Sequence, residues 1–458
     1  MEPNFLLKVD YQLIVIDHSY IYSFDFRTIN TEMTVVFRQE DLVEELLIDI
    51  KESVEFESDP AQCCIYGVPK MIRGVNDEVY TPQLISIGPL HHGKKELVDM
   101  EKKKKKYVKR FLEQITTEKR DRILSHIKDN EEKIRNCYAE ISTLESLKFI
   151  KMILYDSIFI IEIFLINICR DKRDILLDIV PVRSTLRSDL QLFENQLPYF
   201  ILEEIYNLTF DGIPVATFMD LSVNFFQDFL GVGLSSLTLK VKHFTDWRRI
   251  SLLGSDLSVS NKGEVSDLPC AMKLHDSGIK FRGIPIENEQ GLLGIRFVKR
   301  KGLIPFLKVP ELQIPQLVVD DETERLLRNV IALEQCVYPN NALVSNYVHL
   351  MDYLINTEKD VDLLVGNKII SNFMGDNVSV ANMFNKLNQN VDISESPHHN
   401  TCKQLKEHYK SNWNKARATL KRVYFNNPWT GTATIAATIL LLLTIAQTVF
   451  SMLQVLQF

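Results

Sequence analysis

The segment from Gly88 to Lys95 has the spacing with which proteins hold nucleotide phosphates. It reads Gly-Pro-Leu-His-His-Gly-Lys-Lys, so Gly88, Gly93 and Lys94 stand where a phosphate-binding loop has its two glycines and its lysine. In such loops backbone N–H groups surround the phosphates, and a Ser or Thr hydroxyl binds magnesium. Here Lys95 takes the hydroxyl position and Pro89 lacks an N–H group. A packed turn is therefore the preferred interpretation, and a nucleotide-binding or nucleotide-hydrolysing enzyme is the alternative hypothesis.

The residues that could hold a metal ion do not form a metal-binding pattern. His91 and His92 are adjacent, and adjacent histidines seldom bind one ion together. The acidic residues from Asp320 to Glu322 follow an apolar stretch and could hold magnesium, but they equally suit the start of a helix. The cysteines lack the paired short spacing of zinc sites and stand at positions 63, 64, 137, 169, 270, 336 and 402. The sequence predicts no metal and no cofactor.

No combination of residues in the sequence predicts a catalytic site. A Gly-x-Ser-x-Gly motif is absent, and no Cys–His signature offers a nucleophile. Asp156 and Glu162 lie within an apolar run. Because they are six residues apart, they point in different directions on a helix. We expect each to meet backbone or basic partners in the core, and we predict that the protein is not an enzyme.

The strongest basic run comprises the five consecutive lysines Lys102 to Lys106, with Lys109 and Arg110 after them. It is either an ordinary solvated helix face or a surface for anionic lipid or an acidic partner, worth roughly 1 kcal/mol per basic residue near a charged leaflet. Acidic residues such as Glu131 and Glu132 could also neutralise it internally. The net charge of −7 and the lack of an aromatic platform argue against nucleic acid as a partner.

These residues must be positioned mainly by helices. Apolar residues recur every three or four positions over much of the chain, which is typical of amphipathic helices. The clearest segments are 42–54, 107–115, 123–141 and 326–336. The apolar run Phe149–Cys169 contains Lys151, Asp156 and Glu162, and each such ion costs about 2.5–3.5 kcal/mol at mid-membrane. We therefore predict that this run is the central buried helix of a mainly α, two-lobed globular body.

A Ser-, Gly-, Asp- and Asn-rich stretch at residues 254–269 is the best lobe boundary. It separates lobes at about 61–253 and 270–425, which together form one body, 61–425. A variable extension at 1–60, with a short amphipathic helix at Leu42–Val54, precedes this body.

Short strands are predicted where polar and apolar residues alternate between Gly and Pro residues. Three of them, Ile279–Arg282, Gly294–Val298 and Leu303–Leu307, would form a small sheet or hairpin in the second lobe. A further strand-like segment, Gln83–Ile87, stands before the candidate phosphate loop. The fold therefore has minor α+β character.

The C-terminal segment from Val423 to Phe458 has no charged residue. Its apolar part, Thr430–Leu453, exceeds the roughly 20 residues that cross a bilayer core, and its few polar side chains can bond within the helix. Basic residues precede it between Lys403 and Arg422 and none follows, which places the body on the cytoplasmic side. The sequence predicts a tail-anchored, single-pass membrane protein. It does not choose between the plasma membrane and endomembranes.

Several segments resemble, in order and at high specificity, the plant family called domain of unknown function 247. The likeness runs from about Cys63 to the C-terminus. The segments that carry it are Cys64-Ile-Tyr-Gly-Val-Pro-Lys70, Tyr80-Thr-Pro-Gln-Leu-Ile-Ser-Ile-Gly-Pro-Leu-His-His-Gly93, Glu194-Asn-Gln-Leu-Pro198, Lys273-Leu-His-Asp-Ser-Gly-Ile-Lys-Phe281, Asp320-Asp-Glu-Thr-Glu324 with Asn329 to Cys336, and Tyr424-Phe-Asn-Asn-Pro-Trp429. The sequence departs from the family at Asp156-Ser-Ile-Phe159, where the family often has a glycine and a cysteine after the aspartate, and residues 1–32 look foreign to it.

The resemblance implies a plant-specific membrane protein without established enzymatic activity. Some grass members of the family are associated with self-incompatibility, which suggests recognition, signalling or a scaffold role with an unknown protein partner. The resemblance transfers no catalytic residue. It also favours the reading of His91 and His92 as part of a family turn.

Overall fold

The structure is a computed structural model that describes residues 62–140, 142–169, 173–211, 216–226, 240–254, 262–286, 291–301, 308–393, 395–412, 414, 416, 419 and 428–456. The predicted N-terminal extension with the helix Leu42–Val54, and the predicted strand Leu303–Leu307, lie outside the described residues. The residues from Ser58 onward form one compact unit.

Helices dominate the described part before residue 254, as the apolar periodicity predicts, but the segment predicted as one helix over 123–141 is divided at Asn130 and its last turn ends at Arg135. They are α1 Lys70–Arg73, α2 Val98–Gln114, α3 Thr117–Asp129, α4 Glu131–Arg135, α5 Ser146–Ile168, α6 Ile175–Asp178, α7 Val180–Asp189, α8 Tyr199–Phe210, α9 Phe218–Phe226 and α10 Phe244–Leu253. Side chains cap several of them. The Asp174 carboxylate accepts a hydrogen bond from the Leu176 N–H at 3.0 Å at the start of α6, and such caps typically contribute about 1 kcal/mol.

Helices and short strands alternate after residue 254. The elements are α11 Ala271–Asp276, β1 Lys280–Ile284, β2 Arg296–Lys301, β3 Lys308–Pro315, β4 Leu317–Val319, α12 Thr323–Val337, α13 Leu343–Leu354, α14 Glu358–Gly366, β5 Ile370–Asn372, α15 Asn377–Leu387, α16 His399–Lys410 and α17 Pro428–Leu456. Thr357 and Asp360 form a capping box at the start of α14, which satisfies two backbone donors at once.

The described strands form two small sheets. In the first, β3 pairs in parallel with β1 and antiparallel with β2, in the order β1-β3-β2. In the second, β4 pairs in parallel with β5. Gly283 in β1 lies so close to the chain before β5 that a Cβ would meet the Lys368 carbonyl oxygen at 1.9 Å. Of the three strands predicted for the small sheet, the two that fall on described residues, Ile279–Arg282 and Gly294–Val298, are confirmed as β1 and β2, whereas β3 and β5 were not predicted.

Two large hydrophobic clusters and a smaller third one fill the described part of the body. The first contains buried side chains between Cys64 and Ile250 and includes most of α5. Phe164 of α5 packs against Phe225 with 4.5 Å between the ring centroids, and burying one such ring contributes roughly 1.5–3 kcal/mol. The second cluster contains buried side chains between Leu252 and Leu405 and includes most of α13.

A buried ion pair joins α10 to α12. Arg249 of α10 contacts Glu334 of α12 at 2.8 Å, and both side chains are almost fully buried. The Glu334 carboxylate also accepts hydrogen bonds from the backbone N–H groups of Val344 at 3.0 Å and Ser345 at 2.7 Å. The Glu334 carboxylate therefore links α12 to α10 and to the start of α13. The lobe limits 61–253 and 270–425, with the linker 254–269, stay a prediction.

The prediction of a central buried helix from Phe149 to Cys169 is confirmed, since α5 covers Ser146–Ile168 and most of its side chains are buried. Its two carboxylates meet basic partners as expected. Asp156 pairs with Lys104 at 2.6 Å, and Glu162 pairs with Arg110 at 2.8 Å. The two carboxylates inside this apolar helix are therefore paired within the body, whereas Lys151 is exposed.

The prediction of a strand at Gln83–Ile87 is wrong. The backbone bends at Gln83 and Leu84, and the segment joins no sheet of the described structure. Instead, the N–H groups of Gln83, Leu84 and Ile85 all donate to the carboxylate of Asp189. A single buried side chain takes the place of a neighbouring strand.

The last helix, α17, differs from the rest of the described structure in having almost no buried side chain. Its stretch Thr432–Met452 has a mean hydropathy of 2.0 and is 0% buried, and among the described residues it is the one helix long and apolar enough to cross a membrane. The Thr438, Thr444 and Thr448 hydroxyls donate to carbonyl oxygens four residues earlier at 2.7–2.8 Å. Their polar groups are satisfied within the helix, as predicted.

Candidate functional site

The candidate phosphate loop, Gly88–Lys95, uses its first backbone donors on the protein itself. The Gly88 N–H donates to Asp156 at 2.8 Å, and the Ile87 N–H donates to Asn195 at 2.7 Å. Gly88 has a φ of +71°, and a Cβ there would meet the Gln196 carbonyl oxygen at 2.4 Å. Glycine is needed at this position because the backbone packs against the core, and this need is independent of any phosphate binding.

The other two candidate phosphate-binding residues lie at the outer side of the turn. Gly93 has a φ of +81°, and nothing lies within 4 Å of the position of a Cβ. Lys94 is exposed, and its N–H donates to the His91 carbonyl oxygen at 3.4 Å. The structure thus places Gly88 inside the core, and Gly93 and Lys94 at the surface.

A buried ion pair holds the base of this turn. Lys104 of α2 is 0% exposed and contacts Asp156 of α5 at 2.6 Å. Its ammonium group also donates to the Ser86 carbonyl oxygen and contacts Glu101 at 2.5 Å. Burial raises the pKa of Asp156, although the Lys104 charge opposes that rise. Removing one partner of such a pair is expected to be strongly destabilising, because the other charge stays buried.

The carboxylate of Glu194 holds the side of the turn. It contacts His91 Nε2 at 3.1 Å, accepts a hydrogen bond from the Val68 N–H at 2.6 Å, and pairs with Arg73. Burial would raise the pKa of Glu194, but the hydrogen bonds from His91, Arg73 and Val68 outweigh it and lower the pKa to about 2. His91 is therefore engaged with Glu194, whereas His92 is exposed.

The segment from Asp189 to Gln196 organises much of this region. Besides its three backbone donors, Asp189 contacts Arg325 of α12 at 3.0 Å. The Asn195 side-chain amide donates to the carbonyl oxygens of Ile85 and Asp189. Gln196 donates to carbonyl oxygens within its own turn and accepts from the Phe244 N–H at 2.9 Å. These polar side chains thus serve as an internal frame.

A cavity of about 120 Å³ lies between this segment, α10 and the start of α12. We call it the seam cavity, because its walls come from the parts of the chain before and after residue 254. Its lining combines charged, polar and apolar side chains from three separate parts of the chain. They are Ser188, Gln191, Leu192, Arg248, Val318, Asp320, Glu322, Thr323, Arg325, Leu326 and Asn329.

Hydrogen bonds fix the carboxylates of the seam cavity. The Ser188 hydroxyl donates to Glu322 at 2.7 Å, and the Thr323 hydroxyl donates to Asp320 at 2.8 Å. Arg248 is fully buried, and burial lowers its pKa to about 9 although Asp320 opposes the shift. The cavity therefore has rigid, charged walls of both signs.

The basic run lies on α2 and is divided by the helix period. Lys102, Lys103, Lys105 and Lys106 are exposed, whereas Lys104 is buried and belongs to the ion pair with Asp156. The predicted surface from Lys102 to Arg110 is therefore corrected at Lys104. We call the four exposed lysines, together with the exposed Lys109, the basic face.

The internal acidic partner considered for the basic run is engaged elsewhere. Glu131 contacts Arg135 at 2.8 Å and accepts a hydrogen bond from the Ser146 hydroxyl at 2.6 Å. Two basic-face residues do have acidic neighbours on their own helix, Lys102 with Asp99 at 3.0 Å and Lys109 with Glu113 at 3.8 Å.

The acidic segment Asp320–Glu322 occupies a helix start, one of the two interpretations left open. Asp320 accepts from the Thr323 hydroxyl and from the Glu322 N–H, just before α12 begins. Within the described residues, no group of three or more His, Cys, Asp or Glu side chains could hold a metal ion.

Sequence reasoning missed the seam cavity and the roles of Asp189, Arg248 and Arg325. The lining residues are far apart in the chain, so no local spacing announces them. The one available signal was the presence of charged residues in apolar segments, such as Arg248 within Phe244–Leu253. A charged residue in an apolar segment indicates a buried charge that needs a partner. The sequence does not show which residue that partner is.

Comparison with known proteins gives a family and relatives. The family model described as a plant protein of unknown function, domain of unknown function 247, matches residues 65–443. A UPF0481 protein of Arabidopsis thaliana is 29% identical over 429 residues, covering 85% of this chain and 86% of the relative. A putative UPF0481 protein of the same plant is 22% identical over 492 residues, covering 86% of this chain and 90% of the relative. No solved structure gives a significant match.

Proposed function

We propose, for a chain that belongs to the plant family called domain of unknown function 247, a membrane-tethered recognition or scaffold module that binds a partner and is not an enzyme. The observation that carries this proposal is α17, a helix whose stretch Thr432–Met452 is uncharged, apolar and 0% buried. Burial of an apolar side chain contributes roughly 1.5–3 kcal/mol, so an exposed helix of this kind is stabilised by hydrocarbon surroundings.

The tether is proposed to place the body in the cytosol. Basic residues precede the apolar stretch, among them Lys403, Lys406 and Lys410 on α16, and none follows it. Basic flanks stay on the cytoplasmic side of a membrane. The side chains between Lys415 and Arg422 that strengthen this bias lie outside those whose surroundings are described.

Alkaline carbonate extraction and protease protection test the tether and its orientation. We expect the full-length chain to stay in the pellet, and the body of microsome-bound protein to be digested by added protease. Recovery of full-length protein in the alkaline supernatant contradicts the tether. Attachment of a glycan at Asn207 or Asn377, which match the acceptor pattern, contradicts the cytosolic orientation.

The environments of the titratable side chains support binding over catalysis. Burial lowers the pKa of His243 and of His398 to about 4, so both imidazoles are neutral near pH 7. Burial raises the pKa of Cys336 to about 11, and a thiol in that state is a poor nucleophile. A general base or nucleophile needs a pKa near the working pH.

The basic face is proposed as a second membrane contact, with anionic lipid headgroups. A body tethered at its C-terminus stays near the leaflet, where each basic residue contributes about 1 kcal/mol of attraction. The exposure of Lys102, Lys103, Lys105 and Lys106 supports this proposal, because their side chains face solvent, where the contact of Lys102 with the exposed Asp99 is weak.

Sedimentation with liposomes tests the basic face. A chain that ends at Val423 and unfolds cooperatively is expected to sediment with anionic vesicles in a salt-sensitive way. Replacement of Lys102, Lys103, Lys105 and Lys106 by Gln is expected to abolish this sedimentation. A matched control replaces four scattered exposed lysines, Lys128, Lys151, Lys359 and Lys386, and so makes the same change in net charge. Equal loss in both variants, or no sedimentation of the parent chain, contradicts a specific surface.

The nucleotide alternative uses Gly88, Gly93 and Lys94, and it stays a hypothesis. The engagement of the Gly88 N–H with Asp156 weighs against it, because a phosphate would have to replace a buried carboxylate. If the protein binds ATP with magnesium and Lys94→Ala removes that binding, this alternative gains support. Unchanged thermal stability in millimolar nucleotide favours the packed turn.

A further inference from the structure

Cys64 and Cys137 are distant in the sequence but lie side by side in the structure. Ile65 and Tyr138 form an isolated parallel bridge, and each cysteine immediately precedes one of these two residues. The N–H groups of Cys64 and Ile65 both donate to the Cys137 carbonyl oxygen, at 3.0 and 2.9 Å. Neighbouring strands lie about 4.7–4.9 Å apart, and disulfides join residues whose Cα atoms are about 4.4–6.8 Å apart. The backbone spacing therefore suits a disulfide.

The two thiols also contact each other. The Cys64 thiol donates a hydrogen bond to the Cys137 sulfur, which lowers the pKa of Cys137 and raises the pKa of Cys64. Burial opposes the lowering at Cys137, and the nearby charge of Lys133 supports it. The thiolate is the form of cysteine that reacts with oxidants. Cys137 is therefore the nucleophile of the pair, and Cys64 is the thiol beside it.

Hydrogen bonds to other parts of the body hold both segments in place. His243 Nε2 donates to the Cys64 carbonyl oxygen at 3.0 Å. The hydroxyl of Tyr138, the residue after Cys137, donates to the Gln196 carbonyl oxygen at 2.9 Å. Two cysteines that already lie close together need little backbone movement to form a bond between their sulfur atoms.

Two neighbouring thiols have surroundings that favour the protonated form. Burial raises the pKa of Cys63, although a hydrogen bond with Tyr66 opposes the rise. Burial also raises the pKa of Cys336 to about 11. Both thiols therefore keep their protons near pH 7, in contrast to Cys137, whose pKa is lowered.

We propose that Cys64 and Cys137 form a modification site, at which hydrogen peroxide produces a reversible disulfide. In the first step, the Cys137 sulfur bonds to one peroxide oxygen, the O–O bond breaks, and the released hydroxide takes up a proton to become water. The sulfur is thereby oxidised to a sulfenic acid, and the peroxide is reduced. In the second step, the Cys64 sulfur displaces the sulfenic oxygen, which leaves as water with the Cys64 proton, and the S–S bond forms.

The surroundings of the pair limit the oxidant to a small molecule. Cys64 and Cys137 are 5% and 7% exposed, and attack on sulfur requires access to it. Hydrogen peroxide therefore suits the site better than a bulky disulfide does. The proposal does not depend on the membrane tether, since both cysteines belong to the body.

Peptide mapping of the full-length chain in detergent micelles tests the disulfide. The reduced protein is treated with hydrogen peroxide, its free thiols are blocked, and it is digested with trypsin. We expect a linked pair of the peptides 52–70 and 136–148, which dithiothreitol separates. The exposed Cys169 reports that the oxidant has reacted with the protein. Absence of the linked pair when Cys169 has been oxidised overturns the proposal.

Single substitutions assign the bond to its two cysteines. Cys63 lies in the same tryptic peptide as Cys64, so Cys63→Ser is the matched control and is expected to keep the linked pair. Cys64→Ser and Cys137→Ser are each expected to abolish it. A linked pair that persists in Cys64→Ser, or that is lost in a folded Cys63→Ser, overturns the assignment. Mapping of the parent chain decides the proposal even if a variant does not fold.

Discussion

The five consecutive lysines of α2 have two different environments, one buried and four exposed. Lys104 is fully buried and pairs with Asp156, whereas Lys102, Lys103, Lys105 and Lys106 face solvent. The helix turns by 100° per residue, so a single position of the five faces the core. The difference teaches that the charge of Lys104 has a structural role, while the charges of its neighbours stay available for a partner.

The same contrast separates the turn at Gly88–Lys95 from the seam cavity. At the turn, the Gly88 N–H donates to the Asp156 carboxylate, and the Glu194 carboxylate contacts His91. At the seam cavity, Gln191 Oε1 and Arg325 Nε have no partner among the described residues. A motif in the sequence therefore marks a place whose first backbone donor is already bound within the body, whereas no motif marks the seam cavity.

The largest expected effect that sharpens this contrast comes from Lys104→Met. The change leaves the carboxylate of Asp156 buried without its cation, which costs about 3–5 kcal/mol in the free energy of unfolding. Lys105→Met, one position away and exposed, is expected to change it by less than about 0.5 kcal/mol. Chemical denaturation of the two variants measures the difference, and similar values for both contradict the division of the run.

A double variant separates lost charge from lost packing at this pair. Asp156→Asn keeps an acceptor for the Gly88 N–H and removes the uncompensated charge. Lys104→Met with Asp156→Asn is therefore expected to be more stable than Lys104→Met alone. A double variant as unstable as the single one would assign the effect to packing.

The two glycines of the turn give the next largest effect. Gly88→Ala combines a positive φ with a contact of 2.4 Å to the Gln196 carbonyl oxygen, and we expect a loss of about 2–3 kcal/mol. Gly93→Ala introduces only backbone strain, because the surroundings of Gly93 are open. We expect it to lower the free energy of unfolding by about 1 kcal/mol. Thermal unfolding measures both losses. An equal loss at the two positions contradicts the structural role of Gly88.

The pH dependence of Glu194 is the third test. Its pKa is lowered from 4.5 to about 2, so the folded state holds the ionised form more strongly than the unfolded chain does. The resulting stability is fully present above pH 4.5 and is lost as the pH falls from 4.5 toward 2, in total about 3 kcal/mol. The difference in the free energy of unfolding between the wild type and Glu194→Gln is expected to shrink over this range. A constant difference contradicts the ionised contact with His91 and Arg73.

Much of the fold could be predicted from periodicity and composition. The central helix at Phe149–Cys169 followed from an apolar run that carries too many charges for a membrane, and the structure confirms it as α5. The start of α12 after Asp320 followed from the preference of acids for helix N-termini. Such local signals suffice when neighbours in the sequence are also neighbours in the structure.

The candidate sites could not be predicted in this way, because their contacts join distant positions. Asp189 replaces a strand beside Gln83–Ile85 across more than 100 residues, so an alternating pattern was read as a strand. Gly88, Gly93 and Lys94 matched a phosphate loop by spacing, although the partner of Gly88 is Asp156 on another helix. Whether a charge or a donor is free depends on the tertiary contacts.

The smallest expected effect concerns the basic face without any membrane. Lys102 and Lys106 are four residues apart, and Lys102–Lys105 and Lys103–Lys106 are three apart, so these like charges are neighbours on the helix surface. Each such pair destabilises a helix by about 0.2–0.5 kcal/mol, and exposed ion pairs such as Lys102 with Asp99 contribute little. Replacing the four exposed lysines by Gln is therefore expected to leave the free energy of unfolding unchanged or to raise it by a few tenths of a kcal/mol. Added salt screens the repulsion and is expected to stabilise the wild type more than the variant. A clear loss of stability in the variant would show that these lysines serve the fold as Lys104 does.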